Sequence, residues 1–313
     1  MGEPMNGPGN HNVVRTTRAG PVGGISGSGG MGIAVVGRAV ARRRLRTSVR
    51  DLRLRRGLST TTVSRDLGLP PDLLPAIERG ERGLLPDLLG RLLTCYQAPT
   101  GDEVDQLTAL ARLAQTPHWT DTYRHIHPRP YREMLSYETD ATRILCYHPR
   151  HLPALAQTDA YARTIIQATA GHHLSRDDIN ARVRSQQRRQ RTVLDTGRPL
   201  RIAVTEQALL RPAVHHPRVI RQQLDHLTIL IRAARIDLTL IPTDHPRHGR
   251  TGPFELVEFD DPRDPDLVYR DNTAAGDALT DTPRTVNHYR TAFADLTHRQ
   301  ALSRLHDIRE RTR

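Results

Sequence analysis

Between Gly57 and Gly80 the chain runs Gly57-Leu58-Ser59-Thr60-Thr61-Thr62-Val63, then Leu67-Gly68-Leu69, then Leu73-Leu74-Pro75-Ala76-Ile77-Glu78-Arg79. Hydroxyls heading one short helix, a glycine turn and a second short helix form a donor pattern suited to phosphates and base edges in a major groove. Pro70, Pro71 and Pro75 stand where base-reading side chains project, and none has a side-chain donor. Pro75 decides the local geometry. In a helix begun at Pro70 it forfeits the bond to the Pro71 carbonyl and crowds that group, at about 3 kcal/mol. With Asp72 as N-cap it falls in the first turn, where no intrahelical N–H is needed. Asp is a good cap, so the sequence predicts a helix over roughly Leu73–Arg79. Asp72 is the one polar reader left. It is repelled by phosphate, and capping competes for the oxygens that would accept from a cytosine amino group.

Other residues resemble sites by composition alone. His118, His125, His127, His148 and His151 are close in sequence, but no H-E-x-x-H or carboxylate-anchored spacing accompanies them, and no metal is expected. His215-His216 and His245–His248 read as turns. Asp260, Asp261, Asp264 and Asp266 flank prolines without EF-hand spacing. Gly27, Gly29 and Gly32 match G-x-G-x-x-G but lack the strand and βαβ unit a dinucleotide needs, so no cofactor is expected. Cys95 and Cys146, on stretches that read as helical, lack CxxC spacing and read as free thiols.

The elements that must position these residues divide the 313-residue chain in two. Residues 1–44 read as a disordered tail rich in Gly and Arg. From Arg38 to Arg56 nine arginines face Asp51 alone, and Leu45, Val49 and Leu52 form an apolar stripe on an arginine-coated helix. Arg50, Arg53 and Arg56 are its expected phosphate contacts; a merely solvated face is the competing reading. Val63 and Leu67, Leu74 and Ile77, Leu88, Leu92 and Tyr96, then Val104, Leu107, Leu110 and Leu113 continue a helical bundle over 45–116. A larger domain over 117–305 follows. Helical patterns cover Tyr131–Tyr147, Asp159–Ala168, Ser175–Leu194 and Val214–Ala234, with a last helix after Pro283. Short β-like runs occupy Leu200–Thr205, Ile236–Ile241, Phe254–Phe259 and Leu267–Tyr269. Residues 306–313 read as a basic tail. The fold expected is α+β: an all-α helix-turn-helix bundle, then a domain with a small sheet and several helices. The net charge of +12 and pI near 10.7 point to an anionic partner, and every basic side chain is arginine. No apolar run is long enough to span a membrane and no secretory signal opens the chain, so the protein is expected in the cytoplasm.

Gly57-Leu58-Ser59, Leu67-Gly68-Leu69 and Ile77-Glu78-Arg79-Gly80 resemble the actinobacterial Xre-type helix-turn-helix regulators of antitoxin-like type. The resemblance extends over about 48–305, through Glu138, Ala141, Ile144 and Tyr147, the block Leu152–Thr158 with Tyr161-Ala162, and Glu206 with Leu209 and Arg211. It continues in Gln223-Leu224 with Leu227, Gly252-Pro253-Phe254, Asp261-Pro262 and Val268-Tyr269. It departs at Ala154 and Ala156, where that family usually has glycine and leucine, and at Thr60, commonly glutamine there. The resemblance implies a homodimeric repressor of double-stranded DNA with no catalytic residue, often encoded beside a small toxin-like protein. By position it implies phosphate contacts from Thr60 and Thr61, with Asp72 and Leu73 at the reading edge. Arg79 and Arg82 follow toward the backbone. A helix-end contact within the bundle is an equal reading for Glu78 and Arg79. Glu138, Gln157, Thr158, Tyr161, Arg188 and Glu206 mark the partner or effector side, with Arg188 the expected anchor for a carboxylate. The leading expectation is a DNA-binding regulator. An interaction protein that sequesters a small partner, its DNA reading degenerate, is second, and a hydrolase built on the C-terminal domain is a distant third.

Overall fold

Helix α1 (Arg38–Arg55) sets the architecture, because its two halves belong to different cores. In the computed structural model, which describes residues 36–98, 100–170, 173–242, 251–271, 276–296 and 301–311, Ala39, Val40 and Ala41 pack into the core of the larger domain. Leu45, Val49 and Leu52, further along the same helix, pack into the bundle. The tail expected over 1–44 is therefore corrected from Arg38 onward; the glycine pattern at 27–32 and His245–His248 lie outside the described residues. What orders this basic stretch is acidic sequence far down the chain. Arg44 reaches Asp261 at 2.7 Å and Asp264 at 2.5 Å, and Arg43 donates to the Pro265 carbonyl at 2.7 Å between the rings of Tyr137 and Phe259. The proline-flanked aspartates thus serve as a receptor for arginine.

The bundle continues with α2 (Thr60–Asp66), α3 (Leu73–Glu78), α4 (Pro86–Cys95) and α5 (Asp102–Ala114). Gly68 turns α2 toward α3 at φ +61°, a left-handed conformation that costs glycine no Cβ clash. A short 3₁₀ turn at Trp119–Tyr123 leads to α6 (Arg129–Tyr137) and β1 (Arg143–His148). Next come α7 (Asp159–Ala170), α8 (Arg176–Leu194), β2 (Leu200–Thr205), α9 (Gln207–His215), α10 (Pro217–Arg232) and β3 (Asp237–Ile241). Strands β4 (Phe254–Glu258), β5 (Leu267–Arg270) and β6 (Ala278–Thr280) and helices α11 (Pro283–Ala294) and α12 (Ala301–Arg311) complete the order. The sheet runs β3-β2-β1-β4-β5-β6, parallel among the first three strands and antiparallel in the rest. One face joins the core shared with α1; the other buries Tyr147, Phe254 and Phe293. The expected α+β class and its two-part order hold.

Three element boundaries differ. The helix expected over Tyr131–Tyr147 ends at Tyr137, and its second part is β1, so Cys146 sits on a strand. Strand β1 is central and buried on both faces, so its apolar run is continuous, and periodicity cannot tell such a run from a buried helix. The helix expected over Val214–Ala234 is two helices, because Pro217 takes the first position of α10 and the chain breaks at His216. The basic tail expected over 306–313 is, as far as Arg311, the end of α12, with Leu305 and Ile308 in the core.

Candidate nucleic-acid interface

Helix α2 begins as its sequence dictates: Ser59 Oγ accepts from the Thr62 N–H at 3.0 Å, which leaves Thr60 and Thr61 in the first turn, Thr61 exposed. Helix α3 spans Leu73–Glu78, so Pro75 lies in its first turn and the helix is not broken. Asp72 holds the N-cap position, but its backbone is helical (φ −88°, ψ −13°) and its carboxylate caps nothing. The Leu73 N–H donates to the Pro70 carbonyl at 3.1 Å, a backbone turn that leads into the helix. Pro70, Pro71 and Asp72 are exposed together, while Leu74, Ala76 and Ile77 face inward; Leu73 is half-buried.

The arginines divide into structural and free. Arg53, expected on phosphate, is withdrawn from the surface. Its Nε and Nη2 each meet a Glu78 oxygen at 2.7 Å and its Nη1 donates to the Leu58 carbonyl at 2.6 Å, bracing α1 against α3. Glu78 therefore makes the bundle contact, and its hydrogen bonds hold the Arg53 guanidinium above its ordinary pKa. Arg50 is exposed, and Arg56 is exposed with Nη2 on the Gln97 carbonyl at 2.5 Å. Arg79 forks onto Glu81 at 2.7 and 2.8 Å, an exposed pair that leaves it at the surface, and Arg82 is exposed beside it. Sequence reasoning missed Arg65, exposed on α2 and, among the described residues, joined only to its neighbour Asp66 at 3.3 Å. Its place four residues after Thr61, on the same helical face, was the available signal.

Of the six residues expected to meet a partner, Glu138, Gln157 and Tyr161 are buried in the larger domain, Thr158 and Glu206 are half-buried and Arg188 is exposed. Arg188 is exposed on α8, and its neighbour Arg189 is the anchor instead. Arg189 donates to Glu138 at 2.6 and 3.0 Å and also to Glu255, with Tyr131 beside it. The correction is one residue wide, because a helix turns about 100° per residue and only Arg189 faces the sheet. Burial lifts the Glu138 pKa to about 7; Arg189 opposes this and the Glu255 charge adds to it. Gln157 donates to the Leu152 carbonyl at 2.5 Å and accepts from Gln186 at 2.6 Å. Thr158 donates through N–H and hydroxyl to Gln223, and Tyr161 links the Leu152 N–H to the Ala208 carbonyl. These groups fasten the Pro153 loop to α8, α9 and α10. Glu206 engages Arg304 at 2.5 Å, far along the chain from the Glu138 cluster.

The histidines take local roles. His118 caps the 3₁₀ turn, His127 bonds Ser185 Oγ at 2.9 Å, and His148 and His151 stack at 3.5 Å. Burial lowers the pKa of His118 to about 4 and of His127 to about 3. Among the described residues no three or more His, Cys, Asp and Glu side chains gather as a metal would require, and no helix is long and apolar enough to cross a membrane.

An exposed helix-turn-helix on a helical bundle, joined by a shared helix to a mixed-sheet domain, defines the class: a DNA-binding regulator architecture with a C-terminal domain. Residues 44–107 match a helix-turn-helix domain, and residues 131–307, more than half of the chain, match the domain of unknown function DUF5753; the chain belongs to that family. No curated protein and no solved structure matches it.

Proposed function

We propose that this protein is a non-catalytic, antitoxin-like transcriptional repressor. It acts as a homodimer on double-stranded DNA, and its C-terminal domain takes a small toxin-like partner or an effector. The observation that carries this is the exposed face of α2 and α3, where Thr61, Arg65, Pro70, Pro71, Asp72 and Arg79 stay at the surface while the opposite face is packed. Affinity comes chiefly from arginine on phosphate, since the three prolines offer no side-chain donor to a base. Glu138 and Glu206, the acids that general acid–base chemistry would use, are each held by an arginine, which favours a non-catalytic domain.

The test is a titration against the DNA upstream of the protein's own gene and a scrambled duplex across a salt series. The logarithm of affinity is expected to fall with the logarithm of salt by about 0.9 per phosphate neutralised, with modest preference for the native sequence. Tight, selective binding insensitive to salt defeats the weak-specificity reading. The loss of Arg53 to Glu78 and the proline edge favour a second reading, sequestration of a small partner with degenerate DNA recognition. Absence of any duplex binding, together with capture of the small protein encoded alongside, selects it.

A further inference from the structure

A cleft of about 370 Å³ opens where the bundle meets the larger domain, between α1, the Gly80–Leu84 segment that follows α3, and α6. Its walls carry Arg38, Arg42, Arg46, Arg82, Arg129 and Arg132 against the carboxylates of Asp121, Glu81 and Glu133. Those carboxylates are already committed: Asp121 to Arg38, Glu133 to Arg129, and Glu81 to Arg79. Among the described residues Arg46, Arg82 and Arg132 have no acid partner, and Arg42 has only the Ala114 carbonyl at 2.9 Å. Three buried polar atoms of the lining, Arg38 Nε, Arg132 Nε and the Ser136 hydroxyl, make no hydrogen bond among the described residues, and Ser136 is only 4% exposed. Buried polar groups almost always find partners, so orphans gathered at one cavity mark the place of an absent one. The Arg42 guanidinium is held below its ordinary pKa by burial and then by the charge of Arg38, as crowding of like charge requires. The lining also includes the apolar side chains of Leu45, Ile77 and Leu84.

We propose that this cleft binds a small phosphate-bearing anion with an apolar or aromatic body, such as a mononucleotide. Guanidinium forks match phosphate oxygens two at a time, the excess of cations supplies the charge complement, and the volume lies in the range of small-ligand sites. The site bridges the two domains. Arg129 of α6 donates to the carbonyls of Gly80 and, at 2.9 Å, Glu81, immediately after the reading helix. Occupancy therefore bears on the placement of α3, and that consequence rests on the regulator reading given above. Binding itself is measured with no DNA present, so failure of either reading is seen separately.

The test is thermal unfolding of the full chain with inorganic pyrophosphate or adenosine monophosphate at constant ionic strength set by sodium chloride. A rise in Tm with either probe is expected. It should shrink severalfold in the Arg46→Gln/Arg132→Gln variant and persist in Arg65→Gln, which alters only the exposed face of α2. No rise, or an equal rise in the double variant, overturns the proposal. Hydrogen exchange on the unaltered protein decides the matter if the double variant does not fold. Protection over 38–46, 80–84 and 129–137 supports the site, and protection confined elsewhere overturns it. A double variant that keeps its response to both probes but loses duplex affinity assigns the arginines to DNA phosphate and also overturns it.

Discussion

Arg189 shows what one side chain must do in this fold. It lies in the core with Glu138 and Glu255 as partners, one cation between two carboxylates. Removing it as Arg189→Met leaves buried acid without a counter-charge, at about 3–5 kcal/mol measured by urea denaturation. Replacing Glu138 and Glu255 by Gln in the same chain should recover part of that loss. Proton linkage follows from the same burial. His118, His127 and His148 have pKa values pushed below the ordinary 6.5, by burial first, so the unfolded chain takes up protons that the folded chain refuses. Their contribution is complete above about pH 6.5 and is lost as pH falls toward the folded values. Glu138, raised to about 7, acts oppositely: its contribution is present at low pH and lost as pH rises toward 7. Three groups outweigh one, so acidification from pH 7 to 5 should destabilise the protein, by about 1.4 kcal/mol per pH unit per net proton. In His127→Gln the slope of stability against pH should become shallower by about one proton; an unchanged slope rejects the burial argument.

At the scale of the element, α3 is a short helix kept intact by where its proline falls. Pro75 takes a position whose N–H has no intrahelical partner, and the Ala76 N–H closes the first turn on the Asp72 carbonyl at 3.0 Å. Pro75→Ser should therefore change stability by no more than about 0.5 kcal/mol, as a substitution without a structural role does. The added hydroxyl should raise the ratio of specific to non-specific DNA affinity in a competition titration; with the helix intact by circular dichroism, no gain means the proline does not limit reading. At the other end Gly80 leaves the helix at φ +78°, in the region glycine enters freely, and hands its carbonyl to Arg129. One helix end thus lies at the exposed edge and the other meets the larger domain.

At the scale of the whole molecule, α1 decides how the parts behave. It lends Ala39, Val40 and Ala41 to one core and Leu45, Val49 and Leu52 to the other, so unfolding either core exposes one end of the same rigid helix. The expected result is a single calorimetric transition for the unaltered protein. Arg43→Met removes a guanidinium packed between Tyr137 and Phe259 and bonded to the Pro265 carbonyl. It should cost about 2 kcal/mol and divide the transition in two. A lowered but still single transition means the coupling resides elsewhere on α1.

The amino-acid sequence by itself determined the features that depend on near neighbours. Ser59 caps α2, Gly68 turns it, Pro75 belongs in a first turn, and the β-branched runs after Leu200 are strands, all because capping, left-handed turns and residue periodicity are local physics. Net charge pointed to an anionic partner, and with no lysine in the chain arginine is the side chain expected to meet it. Only the tertiary structure decided which arginines remain free to make it. Arg44 meets aspartates and Arg43 the Pro265 carbonyl, each more than two hundred residues away, Arg53 meets Glu78, and Arg189 rather than Arg188 turns inward. The strand at Arg143–His148 read as helix for a like reason: burial on both sides is a property of the sheet around it. A charged side chain carries the same formal charge exposed or paired, and pairing across the chain is set by packing that no local pattern encodes.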